Sequence, residues 1–217
     1  MASSLDLKPA ATGIAAALLT AVLTWYGDGL FPVWPLMWMA PIPVLLVALR
    51  SRTWWGASLV AALGWGLGCL HVPAYYVSTG APAILLPLLA GHVVVVFLIA
   101  MLLFRTLALR GRPWLALLAF PSCWTAAEFL VNLVSIHGSF GSLAYTQLDF
   151  LPFLQLASLT GPWGMSFMLM LFPAAVALAL HSYRAKPRQA WRILGFTGAL
   201  LAAVLIFGTV RLALPVS

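Results

Sequence analysis

Long apolar windows, separated by short polar or basic stretches, run the length of this chain. They extend from Ala10 to Trp25, Trp34 to Leu49, Trp54 to Tyr75, Ile84 to Phe104, Trp114 to Val134, Leu154 to Leu180 and Trp191 to Leu212. A hydrocarbon core about 30 Å thick needs roughly 20 mostly apolar residues per crossing helix, so the pattern predicts seven transmembrane helices. The first window follows a basic residue and precedes Gly27, which is also the outline of a signal peptide. It carries no clear small-x-small cleavage site, and Trp25 and Tyr26 suit an interfacial anchor, so it reads as an uncleaved helix.

Proline and glycine punctuate these windows. Gly64, Gly66 and Gly68 read first as a close-packing series, because small residues let membrane helices approach one another. Gly161-Pro162 divides a window that is otherwise too long for one crossing. The division predicts an interfacial segment from Phe150 to Thr160 and a helix starting near Trp163, with proline in its first turn.

Composition agrees with the pattern: 64% of the 217 residues are hydrophobic and 7% are charged, against roughly 25% charged in soluble domains. The positive residues then fix an orientation. Lys8 precedes the first helix, Arg50 and Arg52 follow the second, Arg105, Arg110 and Arg112 follow the fourth, and Arg184, Lys186, Arg188 and Arg192 follow the sixth. The intervening loops hold none, and positive charge accumulates in cytoplasmic loops. The expected fold is therefore all-α, a single polytopic integral membrane bundle over residues 1–217, with its N-terminus inside and its C-terminus outside. The net charge of +7 is a topology signal spread over several loops rather than one patch, so nucleic acid is excluded as a partner.

One polar, glycine-rich stretch interrupts the apolar pattern on the outer side, His137-Gly-Ser-Phe-Gly-Ser-Leu-Ala-Tyr-Thr-Gln147. Beneath it lies Glu128, the sole glutamate, about six residues before the outer end of its helix and so roughly 9 Å below that boundary. An ionisable group at such a depth is a site candidate by default. Asn132 follows by one helical turn and shares its face, extending a polar track toward His137. The structural alternative is that Glu128 holds the exposed amides of the loop it supports. His71, His92 and His181 stand singly, and a zinc site needs three or four convergent ligands, so no metal or other cofactor is expected. Cys69 and Cys123 both fall within helices and read as core residues.

The run Trp124-x-x-x-Glu128, then Gly138-Ser-Phe-Gly-Ser-Leu-Ala-Tyr-Thr-Gln147, then Leu154-Gln-Leu-Ala-Ser-Leu-Thr-Gly-Pro-Trp-Gly-Met-Ser-Phe167 resembles the membrane portion of the apolipoprotein N-acyltransferase family. It is also similar to membrane proteins that fuse this bundle to a nitrilase-like domain. The likeness is specific between about residues 121 and 170. It implies a multi-pass protein of the bacterial plasma (inner) membrane, working in lipoprotein biosynthesis. Such enzymes move an acyl chain from a phospholipid to the N-terminal amine of a lipoprotein through a cysteine thioester. A Glu-Lys-Cys triad on an outer soluble domain does the chemistry.

The chain departs from that pattern at Val131, where the family often has a basic residue, and at Ser139-Phe140, where the family has Pro-Trp. Seven residues, Arg211 to Ser217, follow the last helix where the family continues into its soluble catalytic domain. Within the bundle the two lysines, Lys8 and Lys186, are expected inside and Glu128 near the outside, so no triad assembles and no catalytic residue is assigned. Ser139, Ser142 and Ser166 lack a base and orienting pair beyond His137 and Asp149.

The expected function is the lipid-handling part of an N-acyltransferase, with phospholipid as ligand and a separately encoded nitrilase-like domain and a lipoprotein acceptor as partners. Glu128 and Asn132 would organise a polar floor, with His137 above them. Tyr145 and Gln147 would line the mouth, and Trp163 and Ser166 would shape the adjoining helix start. The alternatives are a noncatalytic transporter, an assembly factor or a truncated gene product.

Overall fold

The structure, a computed structural model, describes residues 7–29, 31–78, 80, 84, 86–135 and 138–214. The described chain forms α1 (Leu7–Gly27), α2 (Trp34–Met39), α3 (Ile42–Arg50), α4 (Trp54–Gly68), α5 (His71–Ser78), α6 (Leu86–Leu109), α7 (Pro113–Val134), a 3-10 helix (Leu143–Gln147), α8 (Leu151–Leu154), α9 (Ala157–Ser182) and α10 (Pro187–Ala213). Among the described residues, six stretches are long and apolar enough to cross a membrane, and Trp34–Arg50 is a shorter apolar stretch beside them. The chain is thus a multi-pass, all-α membrane protein.

Two of the expected single helices are broken. Pro41 and Pro43 each remove a backbone donor from the second crossing, which divides into α2 and α3. At this break the Thr20 hydroxyl, fully buried on α1, donates 2.8 Å to the Ala40 carbonyl. The third crossing divides at Cys69-Leu70 into α4 and α5.

Packing is organised around α9, whose residues Met165 to Leu171 and Pro173 to Ala179 are largely buried. Helices α3, α7 and α10 lean on it, while α1 pairs with α4, and α6 with α7. Lipid tails are as apolar as leucine, so these contacts rest on close fit rather than on escape from water. Gly68 shows the requirement: a methyl group there would run into the Thr24 side chain of α1. Aromatic rings fill the wider gaps, with Trp65 stacked on Phe97 at 4.2 Å and Trp124 edge-on to Trp65 at 5.4 Å. Large side chains such as Leu59, Leu130, Leu133 and Ile206 point outward, as lipid-facing positions should.

The two ends of the bundle differ. At the basic end, Arg105 of α6 donates through Nε to the Ala48 carbonyl and through Nη2 to the Ser51 carbonyl, both at 2.9 Å, which satisfies the free carbonyls at the close of α3. At the other, the loop end, Arg211 of α10 donates to Ser158 at 2.7 Å, and His71 lies 3.4 Å from Asp28.

Candidate functional site

Residues 138–150 do not stand away from the bundle but fold back into it. Ser142 opens the 3-10 helix as its N-cap, with its hydroxyl accepting from the Ala144 amide at 3.3 Å. Leu143, Ala144, Thr146 and Gln147 are then buried against α2 and α9. A short helix inserted at this depth must find partners for its polar groups, since no water is there to supply them.

Glu128 supplies the first set. Its Oε1 accepts from the Trp124 indole at 2.9 Å and from the Leu143 amide at 3.0 Å, while Oε2 accepts from the Ser142 hydroxyl at 3.1 Å. Ser142 Oγ is also 3.1 Å from Ser166 Oγ on α9. Ser142 has one hydroxyl proton, and with that proton on Glu128 the Ser166 hydroxyl becomes the donor to Ser142. One carboxylate therefore joins α7, the loop and, through Ser142, α9.

Gln147 supplies the second set. Its Oε1 accepts from the Trp38 indole at 2.8 Å, and its Nε2 donates to the Trp34 carbonyl at 3.1 Å and to Thr146 Oγ1 at 2.9 Å. Thr146 in turn donates to the Leu143 carbonyl at 2.7 Å. Trp38 is held edge-on by Phe153 and Phe172, so the amide sits among aromatic rings.

The expected site residues thus separate. Glu128 and Ser166 meet through Ser142. Gln147 was expected at a mouth, but it is 0% exposed and locks the loop to α2. Hydrogen-bonding demand explains the difference: an amide that satisfies an indole and a carbonyl at once belongs inside. Tyr145 points outward, 43% exposed, and its hydroxyl is 2.6 Å from Ser139 Oγ. Asn132 is half-buried one turn above Glu128 and faces Gly138, where a Cβ would lie 3.6 Å from its Oδ1. Trp163 packs edge-on against Phe129 at 5.6 Å. His137 lies outside the described residues.

The division expected at Gly161-Pro162 is present as a kink. Gly161 has φ 63° and ψ −163°, a conformation essentially restricted to glycine, between the first turn of α9 and the long segment that carries Ser166. The interfacial segment before it comprises α8 and that first turn. Trp34, Trp38 and Ser142 were not singled out as site residues. Trp38 gave no sequence signal, whereas the i, i+4 pair Trp124-Glu128 and the Ser-x-Ala capping position were available.

The triad chemistry has no counterpart among the described residues. Lys186 lies beyond the basic end of α9, and the 16 residues from Ser166 to Ser182 alone span roughly 24 Å of helix. Cys69 is buried in the core.

These features define a class: a multi-pass helical membrane domain whose polar loop is tied down by a carboxylate within the bundle. Residues 15–175 match the family model of the apolipoprotein N-acyltransferase N-terminal domain, a range that includes the whole Glu128 network, and the chain belongs to that family. An apolipoprotein N-acyltransferase of Geobacter metallireducens is 27% identical over 197 residues, covering 83% of this chain and 36% of that protein. One of Bradyrhizobium diazoefficiens is 35% identical over 97 residues, covering 45% of this chain and 18% of that protein. Apolipoprotein N-acyltransferase 2 of Treponema pallidum is 30% identical over 97 residues, covering 44% of this chain and 17% of that protein. The chain matches about a third of the length of these relatives at most.

Proposed function

We propose that this bundle is the lipid-presenting domain of a bacterial inner-membrane N-acyltransferase. A nitrilase-like domain, carried on a further polypeptide segment or on a separate chain, would supply the reacting groups. A cysteine thiolate there would attack the acyl ester of a phospholipid, forming a thioester and releasing the lysophospholipid alkoxide, which takes a proton. The lipoprotein's N-terminal amine would then attack the thioester, passing its proton to a general base of that domain as the amide forms and the thiolate leaves.

The observation that carries this reading is the Glu128-anchored loop, which lies wholly inside the family match and makes the loop end a built surface. Tyr145, 43% exposed, and Phe140, 54% exposed, stand on that surface above the buried ties. In this role Glu128, Ser166 and Gln147 hold the platform, while Tyr145, with Asn132, His137 and Trp163 nearby in sequence or space, meets the headgroup and the start of the acyl chains. Binding energy for the lipid comes from apolar helix flanks, and the platform orients the ester toward the catalytic domain.

The deciding experiment is purification of the native chain in mild detergent, followed by intact-mass analysis of what accompanies it. A nitrilase-like polypeptide, or a longer mass including one, is the expected result. Acyl transfer from phospholipid to a synthetic lipopeptide should then fall in the Tyr145→Phe and Glu128→Gln variants. Unchanged transfer and lipid binding in both would overturn the site assignment, and solute flux in proteoliposomes without any acyl product would favour a transporter.

A further inference from the structure

The basic end carries a feature that acyl transfer at the loop end does not use. An open cleft of about 570 Å³ is lined by Trp114 of α7 and by Lys186, Pro187, Arg188, Gln189 and Arg192 at the start of α10. Lys186 is the N-cap of α10, Pro187 occupies its first turn, and no acidic residue or side-chain cap is present there. Three cations therefore surround the positive end of a 27-residue helix, an arrangement opposite in sign to the helix dipole's preference. None of the three makes a salt bridge to a described carboxylate. Asp28, Glu128 and Asp149 belong to the loop end, and Asp6 lies outside the described residues. The repulsion is relieved by a ligand that brings negative charge.

The walls say which kind of anion. Trp114 packs edge-on against Phe196 at 5.7 Å, joining α7 and α10 just inside the cleft. Leu118 and Leu200 each follow one helical turn deeper on the same faces and are partly exposed. Both helices pack extensively on α9 and barely on each other, so an apolar seam leads away from the cations into the membrane-spanning part. A soluble anion has no use for that seam. A molecule with a phosphate at one end and an acyl chain at the other fills both parts, and basic pockets between transmembrane helices are suited to anionic headgroups.

We propose that the Trp114-Lys186-Arg188-Arg192 cleft is a binding site for an anionic phospholipid, its phosphate among the three cations and one acyl chain along the α7–α10 seam. By the positive-inside rule this lipid belongs to the inner leaflet, whereas the acyl donor is presented at the opposite end. The site is therefore a structural lipid site separate from the substrate. By buttressing α10 against α9 it would steady the helix whose far end holds Arg211 on Ser158.

The test uses the full chain in detergent micelles, read by native mass spectrometry and by thermal unfolding. Phosphatidylglycerol should be retained as an adduct and raise the unfolding temperature. Phosphatidylcholine at the same concentration should do neither, and millimolar inorganic phosphate should neither stabilise nor displace the lipid. Removing Lys186, Arg188 and Arg192 together by Gln substitution should weaken phosphatidylglycerol retention on the order of 100-fold, each cation near the surface contributing about fivefold. Arg184→Gln, at the same end but outside the cleft, should leave retention unchanged. Equal retention of both lipids by the native chain overturns the proposal, and so does stabilisation by phosphate alone, which would mark a soluble-anion site. Retention equally reduced by Arg184→Gln would mark a general charge effect and also overturn it. Because the native-chain arms decide the lipid class, the proposal stays falsifiable if the triple variant assembles poorly. The single Arg192→Gln variant then replaces it, with about a fivefold loss expected.

Discussion

Glu128 and Gln147 do the same physical work from two sides of one loop. Each takes polar groups that the 3-10 helix and its neighbours would otherwise leave unpaired in an apolar medium, and each reaches an indole N–H as well. An unsatisfied buried donor costs about 1–3 kcal/mol, so the side chain's value lies in how many donors it serves. Glu128→Ala leaves three donors without an acceptor and should release the Leu143–Gln147 helix. Hydrogen-exchange mass spectrometry should show its amides losing protection while those of α9 keep theirs. Glu128→Gln retains one acceptor oxygen and should lose less. Ser142 and Ser166 share one contact, so their alanine variants should be non-additive, with a coupling of about 0.5–1 kcal/mol in a thermodynamic cycle of detergent unfolding. Full additivity would mean that the two hydroxyls do not interact.

At the scale of elements, the kink at Gly161 controls how the loop meets the bundle. It turns the chain from the interfacial α8 into the long segment of α9, placing Ser166 beneath Ser142. Gly161→Ala, forced to φ 63° and ψ −163°, should destabilise the protein by about 1–3 kcal/mol and lower its unfolding temperature. A Pro162→Ala variant, which restores a donor in a first turn where none is needed, should change it far less. This kink was legible in the sequence because glycine and proline report on the backbone directly. So were the crossings, whose length and apolarity are imposed by the bilayer. The breaks at Ala40-Pro41 and Cys69-Leu70 were not, since prolines within membrane helices are tolerated and Cys69 carries no breaking signal. Glu128 was legible as an isolated charge with Trp124 one turn before it, yet its loop partners were not: which amide and which hydroxyl reach it depends on how α7, α9 and the loop are brought together. Gln147 was misplaced for the same reason, as a polar residue in a polar loop gives no sign that Trp38 waits for it 109 positions earlier.

For the whole molecule, the separation of the two ends is what makes the proposed division of labour possible. Arg50 at the close of α3, Arg105 of α6 and the cations at the start of α10 gather at the end where Arg105 closes α3, away from the Glu128 platform. If the basic end is cytoplasmic, a lipid acyl donor reaches the loop end from the outer leaflet, where a lipoprotein's amine would also arrive. The opposite orientation would put the platform in the cytoplasm and remove the basis for the acyltransferase reading. Single cysteines can decide between them in a Cys69→Ala, Cys123→Ala background. In intact spheroplasts, Ser139→Cys should react with a membrane-impermeant maleimide, and Gln189→Cys should react only after the membrane is opened. The reverse labelling pattern would invert the topology. Labelling of both sites from outside would instead show that the chain inserts in two orientations, and neither the loop end nor the basic cleft could then be assigned to a single leaflet.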